Sequence, residues 1–246
     1  MIQPSTIRVA RPLGLTLLAA FAALPLVAQT PAPSTAPGVA ILDFNNGSVV
    51  MDMNYAPLSK GISDLLITEL AANKAIRLVE RDQIQKILDE LDLAGTTRVD
   101  DATAARIGKL VGARYFLTGG FMVDPKKDMV LTIRSVNVET SEVEYTEKVL
   151  GKAENVIALI GELGRKVNTG LKLPQLPGRS AAAPAAAPKV SAEAQYRAFY
   201  LVSRSIEEQD KKNYPVAISL LKEALQVYPG FERAKVRLAS LEKISG

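Results

Sequence analysis

The chain has no cysteine and no histidine. Without cysteine no disulfide can form, even in a compartment that permits one. Nor is there a thiol to carry the lipid that bacterial lipoproteins attach at the end of their leader. Without histidine, Ser-His and Cys-His nucleophilic pairs are excluded, as are zinc sites built on His or Cys. A glycine-rich phosphate loop is missing too: Gly119 and Gly120 are not followed by Lys-Ser/Thr at the required offset. Clustered positive charge is also scarce. The formal net charge is +4, yet residues 38–173 hold 17 basic against 19 acidic side chains, and residues 174–246 hold 11 against 7. In the tail Lys and Glu alternate, which reads as solvated helix surface and not as a nucleic-acid footprint.

What is present begins with a targeting pattern. Arg8 and Arg11 precede "LGLTLLAAFAALPLVA" at residues 13–28, followed by small residues and prolines in "QTPAPSTAPG". A basic start, an apolar core and a small-residue end describe a secretory signal peptide over 1–28, cleaved after Ala28. The apolar run of 16 residues is short of the roughly 20 needed to span a bilayer. No transmembrane span is therefore expected in the mature chain.

Residues 29–37 read as a Pro/Ala/Ser linker and residues 38–173 as the first domain. "GVAILDFNN" is a strand ending in turn formers. Leu58, Ile62, Leu65, Leu66 and Leu70 recur at helical spacing on one face. A short strand over 77–79 precedes a second amphipathic helix with Ile84, Ile87, Leu88 and Leu91, and Glu80 and Asp82 lie at its positive end. Asp100 and Asp101 sit where they can cap a third helix, whose stripe is Ala104, Ile107, Gly108 and Val111. Gly112 is a natural left-handed stop. Strands over 115–122, 129–138 and 143–149 follow, with Gly119 and Gly120 marking a bulge or a close backbone approach. Val143, Tyr145 and Val149 alternate with Glu144, Thr146 and Lys148, giving one wet face. A helix with Val156, Ile160, Leu163 and Val167 closes the domain. The class implied is an α/β (α+β) sandwich, with a mixed sheet of three to five strands covered by helices.

Residues 174–191, "PQLPGRSAAAPAAAPKVS", form a Pro/Ala-rich linker. Residues 192–246 are helical in pattern throughout. In "NYPVAISLLKEALQVYPGF", Tyr214, Ala217, Ile218, Leu221, Ala224, Leu225 and Pro229 fall at the spacing of a tetratricopeptide repeat. One such unit cannot cover its own faces, because arrays normally need about three. The tail is therefore expected to act as a docking module on a flexible tether, with Phe199, Val202 and Ile206 as its partner-binding set.

Candidate chemistry is thin. Asp43, Asn45, Asn46 and Ser48 offer oxygen ligands for a divalent cation, but Asp and Asn also commonly punctuate turns. Asp100 and Asp101 resemble an acid/base pair, and capping explains them more simply. Glu80 and Arg81 read as an ion pair or cap that fixes a helix. Tyr196, Phe199 and Tyr200 offer an aromatic face that serves equally as a core stripe. No catalytic residue, metal or cofactor is expected, and the protein is not read as an enzyme.

The pieces "VAILDF", "LVERDQIQKILDEL", "TAARIGKLVGARYFLTGGF" and "IRSVNVETSEVEY" together resemble the curli production assembly/transport (CsgG-like) family over about 39–171. The family usually has Thr-Gly in the last hairpin turn, and this chain has Thr140-Ser141, a hint of a different turn type. The resemblance implies a bacterial envelope protein built on the soluble core fold of the curli channel. The long inserted hairpins that form that channel's barrel are missing here, because the turns at 123–128 and 139–142 are too short for them. The function expected from the resemblance is therefore non-enzymatic. The protein would be periplasmic, peripherally associated with the outer membrane, and would act by binding other envelope proteins, or a second copy of itself, in assembly or secretion without a pore of its own. The alternative is a periplasmic activator of an envelope enzyme such as a peptidoglycan synthase.

Overall fold

The computed structural model describes residues 36–48, 54–93, 96–173 and 190–245. The expected signal peptide (1–28) and most of both linkers lie outside the described residues. The sheet begins with β1 (Gly38–Ile41), and β2 (Asn45–Asn46) adds two residues further on. Helix α1 (Leu58–Leu70), β3 (Arg77–Leu78), α2 (Arg81–Glu90) and α3 (Asp101–Leu110) follow. The long strands are β4 (Tyr115–Val123), β5 (Asp128–Asn137) and β6 (Val143–Lys152). A single 3-10 turn leads into α4 (Val156–Gly170), and three helices end the chain: α5 (Ala192–Asp210), α6 (Tyr214–Val227) and α7 (Glu232–Ser245).

The strand order is β3-β1-β4-β5-β6, with β2 also pairing to β4. The pairs β1–β3, β1–β4 and β2–β4 are parallel, while β4–β5 and β5–β6 are antiparallel. The sheet is thus mixed, and larger than expected by the short β2. Asn45 and Asn46 read as turn formers, but they pair with Gly120 and Phe121. Gly120 makes this approach easy: a Cβ there would lie 3.2 Å from the Asn45 carbonyl oxygen. Gly119 serves a second approach, since a Cβ there would come within 2.6 Å of the Phe44 ring. Neither glycine makes a bulge. The register irregularity falls instead between Ser135 and Val136. It divides the set expected to face inward from β6, because Val143 pairs with Val136 while Tyr145 pairs with Ser135.

Helices cover the sheet on both sides. On the back, α1 and α4 bury Leu58, Ile62, Leu66, Ile160, Leu163 and Val167 against Leu117, Phe121, Leu131 and Ile133. On the front, α2 and α3 bury Ile84, Leu88, Ala104 and Ile107 against Ala40, Phe116 and Val136. β1 is buried along its whole length because it lies between strands and under helices on both faces. Asp100 caps α3 through its side chain, which accepts from the Thr103 amide at 2.6 Å. Gly112 ends the helix at φ +66°, the left-handed stop expected of it.

The tail is where the structure departs most from the sequence. Helix α5 lies on α1, α6 packs on α5 and α7 on α6, and their apolar residues join the back-face core. Gly61 permits the close crossing, since a Cβ there would lie 1.9 Å from Ser203 Oγ. Phe199, Val202 and Ile206 are buried inside this junction. The set expected to bind a partner is thus satisfied within the chain itself.

Candidate interaction surface

Two features outside the core carry charge or exposed apolar surface in an organised way. The first is a set of ion pairs along the junction between α1, α2 and the tail. Asp64 of α1, almost wholly buried, accepts from Arg233 Nε at 2.7 Å and from Arg237 Nη1 at 2.7 Å. Burial pushes its carboxyl pKa up, but the hydrogen bond from Arg233 and the charges of Arg237, Arg233 and Arg81 outweigh this and hold it below its ordinary value. Burial lowers the pKa of Arg237, but a guanidinium starts so high that it stays charged. Arg81, the first residue of α2, pairs with Asp43 at 2.8 Å and with Asp210 at 2.8 Å. Lys60 also reaches Asp210. These contacts fasten the tail to the α/β part and leave no reactive group to spare. The expected role of Arg81 as an ion pair fixing a helix is what the geometry gives, and its partners are Asp43 and Asp210, not Glu80.

The oxygen cluster at residues 43–48 is similarly occupied. Asp43 accepts from Arg81 and, at 2.7 Å, from Ser63 Oγ. Asn46 Oδ1 accepts from the Ser48 amide at 2.9 Å, and Ser48 Oγ accepts from the Val123 amide at 2.9 Å. These groups stitch β2 to the sheet. Among the described residues no three carboxylates, histidines or cysteines gather as a metal site would require. Asp101 faces Arg134 at 3.2 Å and does not pair with Asp100. Tyr196 and Tyr200 stack at 6.5 Å between centroids and pack on the core. Burial raises the pKa of the Tyr196 hydroxyl.

The second feature is the uncovered half of the front face. Helices α2 and α3 reach only as far as the row Phe116–Val136. Beyond it the ladder aligns three rows: Thr118–Arg134–Thr146, Gly120–Thr132–Lys148 and Met122–Val130–Leu150. Residues directly opposite in a sheet share a face, so the last row is a continuous apolar stripe. Met122 is 47% exposed, Leu150 is 62% exposed and Val130 is partly buried. The loop 97–99 overhangs this floor and closes a groove of about 530 Å³. Arg134 fixes the overhang: its Nη2 donates to the Val99 carbonyl at 2.8 Å and its Nε to Thr118 Oγ1 at 2.9 Å. Among the described residues the groove pairs no nucleophile with a base. It offers apolar area, hydroxyls and charge, which suits binding more than chemistry. This surface was missed in the sequence, although one signal was available. Leu150 continues the polar register of Glu144, Thr146 and Lys148 and is the apolar residue out of place on a wet strand face.

Residues 21–123 match the family described as curli production assembly/transport component CsgG. The match spans the part of the chain built around β1 to β4 and stops at the end of β4. The expected extent, to about residue 171, runs further than the match, and β5, β6 and α4 lie beyond it. The family match supports an envelope protein. No curated protein matches the chain. Among solved structures, it is similar to the LpoB C-terminal domain from Salmonella enterica, with 22% identity and a TM-score of 0.39 over 50% of this chain and 88% of that one. It is also similar to LpoB of E. coli, with 19% identity and a TM-score of 0.38 over 61% and 84%. A PelC dodecamer from Paraburkholderia phytofirmans matches at 17% identity and a TM-score of 0.35 over 58% and 94%. Among the described residues no helix is long and apolar enough to cross a membrane.

Proposed function

We propose that this protein is a non-enzymatic component of the bacterial envelope, and that it works by binding another protein on the open half of its sheet. It would act in the periplasm, peripherally at the outer membrane, in assembly or secretion. The observation that carries the proposal is the exposed apolar row Met122–Val130–Leu150 beside an overhanging loop. Contiguous apolar surface rimmed by polar groups marks contact sites. The reading without a pore of its own is supported by the tight turns at 124–127 and 138–142, which leave no room for inserted strands.

Site-specific photo-crosslinking in cells tests the proposal. A crosslinker at Leu150 should capture a defined envelope neighbour. One at Leu110, which is 56% exposed on α3, should not. Equal and diffuse capture from both positions would defeat the proposal. A captured cell-wall synthase would make the protein a regulator of an envelope enzyme, such as a peptidoglycan synthase; a captured export component would make it an assembly factor.

A further inference from the structure

We infer that the groove on the open half of the sheet is built to take one amphipathic α-helix with an acidic flank, supplied by a partner protein. The inference rests on the protein-binding reading above and adds the chemistry of the bound segment.

Width comes first. The floor consists of β4, β5 and β6, with two inter-strand gaps of about 4.8 Å each, so it is about 10 Å wide. That is close to the diameter of a single α-helix with its side chains, about 10–12 Å. One wall is the 97–99 overhang pinned by Arg134. The opposite side is the outer edge of β6, which pairs with no strand among the described residues. A helix laid on this floor would place its apolar stripe on Met122, Val130 and Leu150.

Charge decides the flank. Of the carboxylates on this face and its rim, Asp101 meets Arg134 at 3.2 Å and Asp128 meets Lys152 at 2.8 Å, while Glu144, at the start of β6, accepts from Asn137 Nδ2. Two cations are left over. Arg98 stands exposed on the overhang and lines the groove, and Lys148 stands exposed on β6 beside it, paired in register with Thr132. Neither side chain has a hydrogen bond or ion pair among the described residues. The apolar row is therefore bordered by unmatched positive charge, while Glu144, the carboxylate of this face without a cation, lies at the opposite end of β6 from Leu150. A helix with carboxylates beside its apolar stripe complements that pattern, and a basic helix meets repulsion.

The test displays a random library of amphipathic helical peptides against the full chain. The pool is counter-selected on the Leu150→Asp variant, whose exposed position leaves the fold intact. Far-ultraviolet circular dichroism and the urea midpoint confirm that it is folded. The expected pool is rich in Asp and Glu flanking the apolar stripe. Individual winners should bind at least tenfold more weakly to the Arg98→Glu/Lys148→Glu double variant, and more weakly in high salt. A selected pool that is neutral or basic overturns the inference, as does an acidic pool indifferent to the double variant. So does a failure to select any peptide that Leu150→Asp rejects. Sedimentation of the protein alone adds a further arm: self-association abolished by Leu150→Asp would make a second copy the occupant and refute the helix. The two readings fail separately. A cellular neighbour crosslinked at Leu150 through a basic or neutral segment leaves the binding role standing and removes the acidic helix. Selected acidic peptides without any cellular neighbour do the reverse.

Discussion

Asp64→Ala is the most severe single change the structure specifies. The carboxylate is 3% exposed and holds two guanidiniums, Arg233 and Arg237, whose side chains are 23% and 13% exposed. Removing one member of a buried ion set leaves the others buried without compensation, at a cost of about 3–5 kcal/mol. Arg237 then keeps only its contact to Gln209. With a urea m-value of about 2 kcal/mol/M, a loss of about 4 kcal/mol moves the midpoint down by about 2 M. Chemical denaturation followed by circular dichroism reads this directly. The companion variant Asp64→Leu/Arg233→Met/Arg237→Met removes all the charges at once. It should recover most of the loss, because apolar replacement of a whole buried ion set is often neutral or better. Acid gives a second view. The folded pKa of Asp64 is below its ordinary value, so its contribution is complete above the unfolded value of about 3.9 and is lost as pH falls through the folded value. The stability gap between the native protein and Asp64→Asn should therefore be constant near neutrality and close below about pH 4. Asp210, lowered by Arg81 and Lys60 against its own burial, acts in the same direction. An Asp64→Ala midpoint within about 0.5 M of the native protein, or a gap that persists in strong acid, would refute the assignment of a buried clamp.

Three further outcomes follow from the fold. Gly112→Val should lower stability by about 1–2 kcal/mol, since Gly112 sits at φ +66° and a β-branched residue there is strained; an unchanged urea midpoint would show otherwise. Ser141→Gly should raise stability by about 0.5 kcal/mol, the left-handed strain at φ +62° relieved minus the entropy of a glycine, and a lowered thermal midpoint contradicts it. Truncation after residue 191 should leave a product that aggregates or exchanges its α1 amides rapidly, because it bares the back-face core and orphans Asp64; a soluble truncation with native exchange protection would mean that the tail is dispensable to the fold.

How far the sequence can be read depends on what each feature requires. The α1 stripe, the Asp100 cap and the Gly112 stop are local, and each is visible as spacing or residue type within one turn of helix. The tail's destination was hidden for the opposite reason. The side of α1 that faces the tail includes Lys60, Gly61 and Asp64, and a count of apolar periodicity passes over small and charged residues. Likewise β2 is two asparagines that form a strand only because Gly120 lets their backbone come near. The hairpin after β5 offers an intermediate case. Ser141 stands where the family favours glycine and still takes the left-handed backbone that glycine adopts most easily, so the departure in residue keeps the left-handed backbone.

The position of the tail also changes which surface is open to a partner. As a tethered module it would have offered Phe199, Val202 and Ile206 outward and left α1 bare. Folded back, it covers α1 and uses those three residues in the core. The two sides of the sheet then differ in kind. The back carries two layers of helix fastened by buried charge, so exposing it means breaking the Asp64 and Arg81 contacts. The front is covered only over its β1 half, and its β4–β6 half presents Met122 and Leu150 without any rearrangement. A partner that binds the front needs no opening step, whereas one that binds the back must first overcome a clamp worth several kcal/mol. Fast association at the groove, with a rate unchanged when Asp64 is replaced by asparagine, is what this asymmetry requires. A rate that rises with that substitution would place the binding surface under the tail instead.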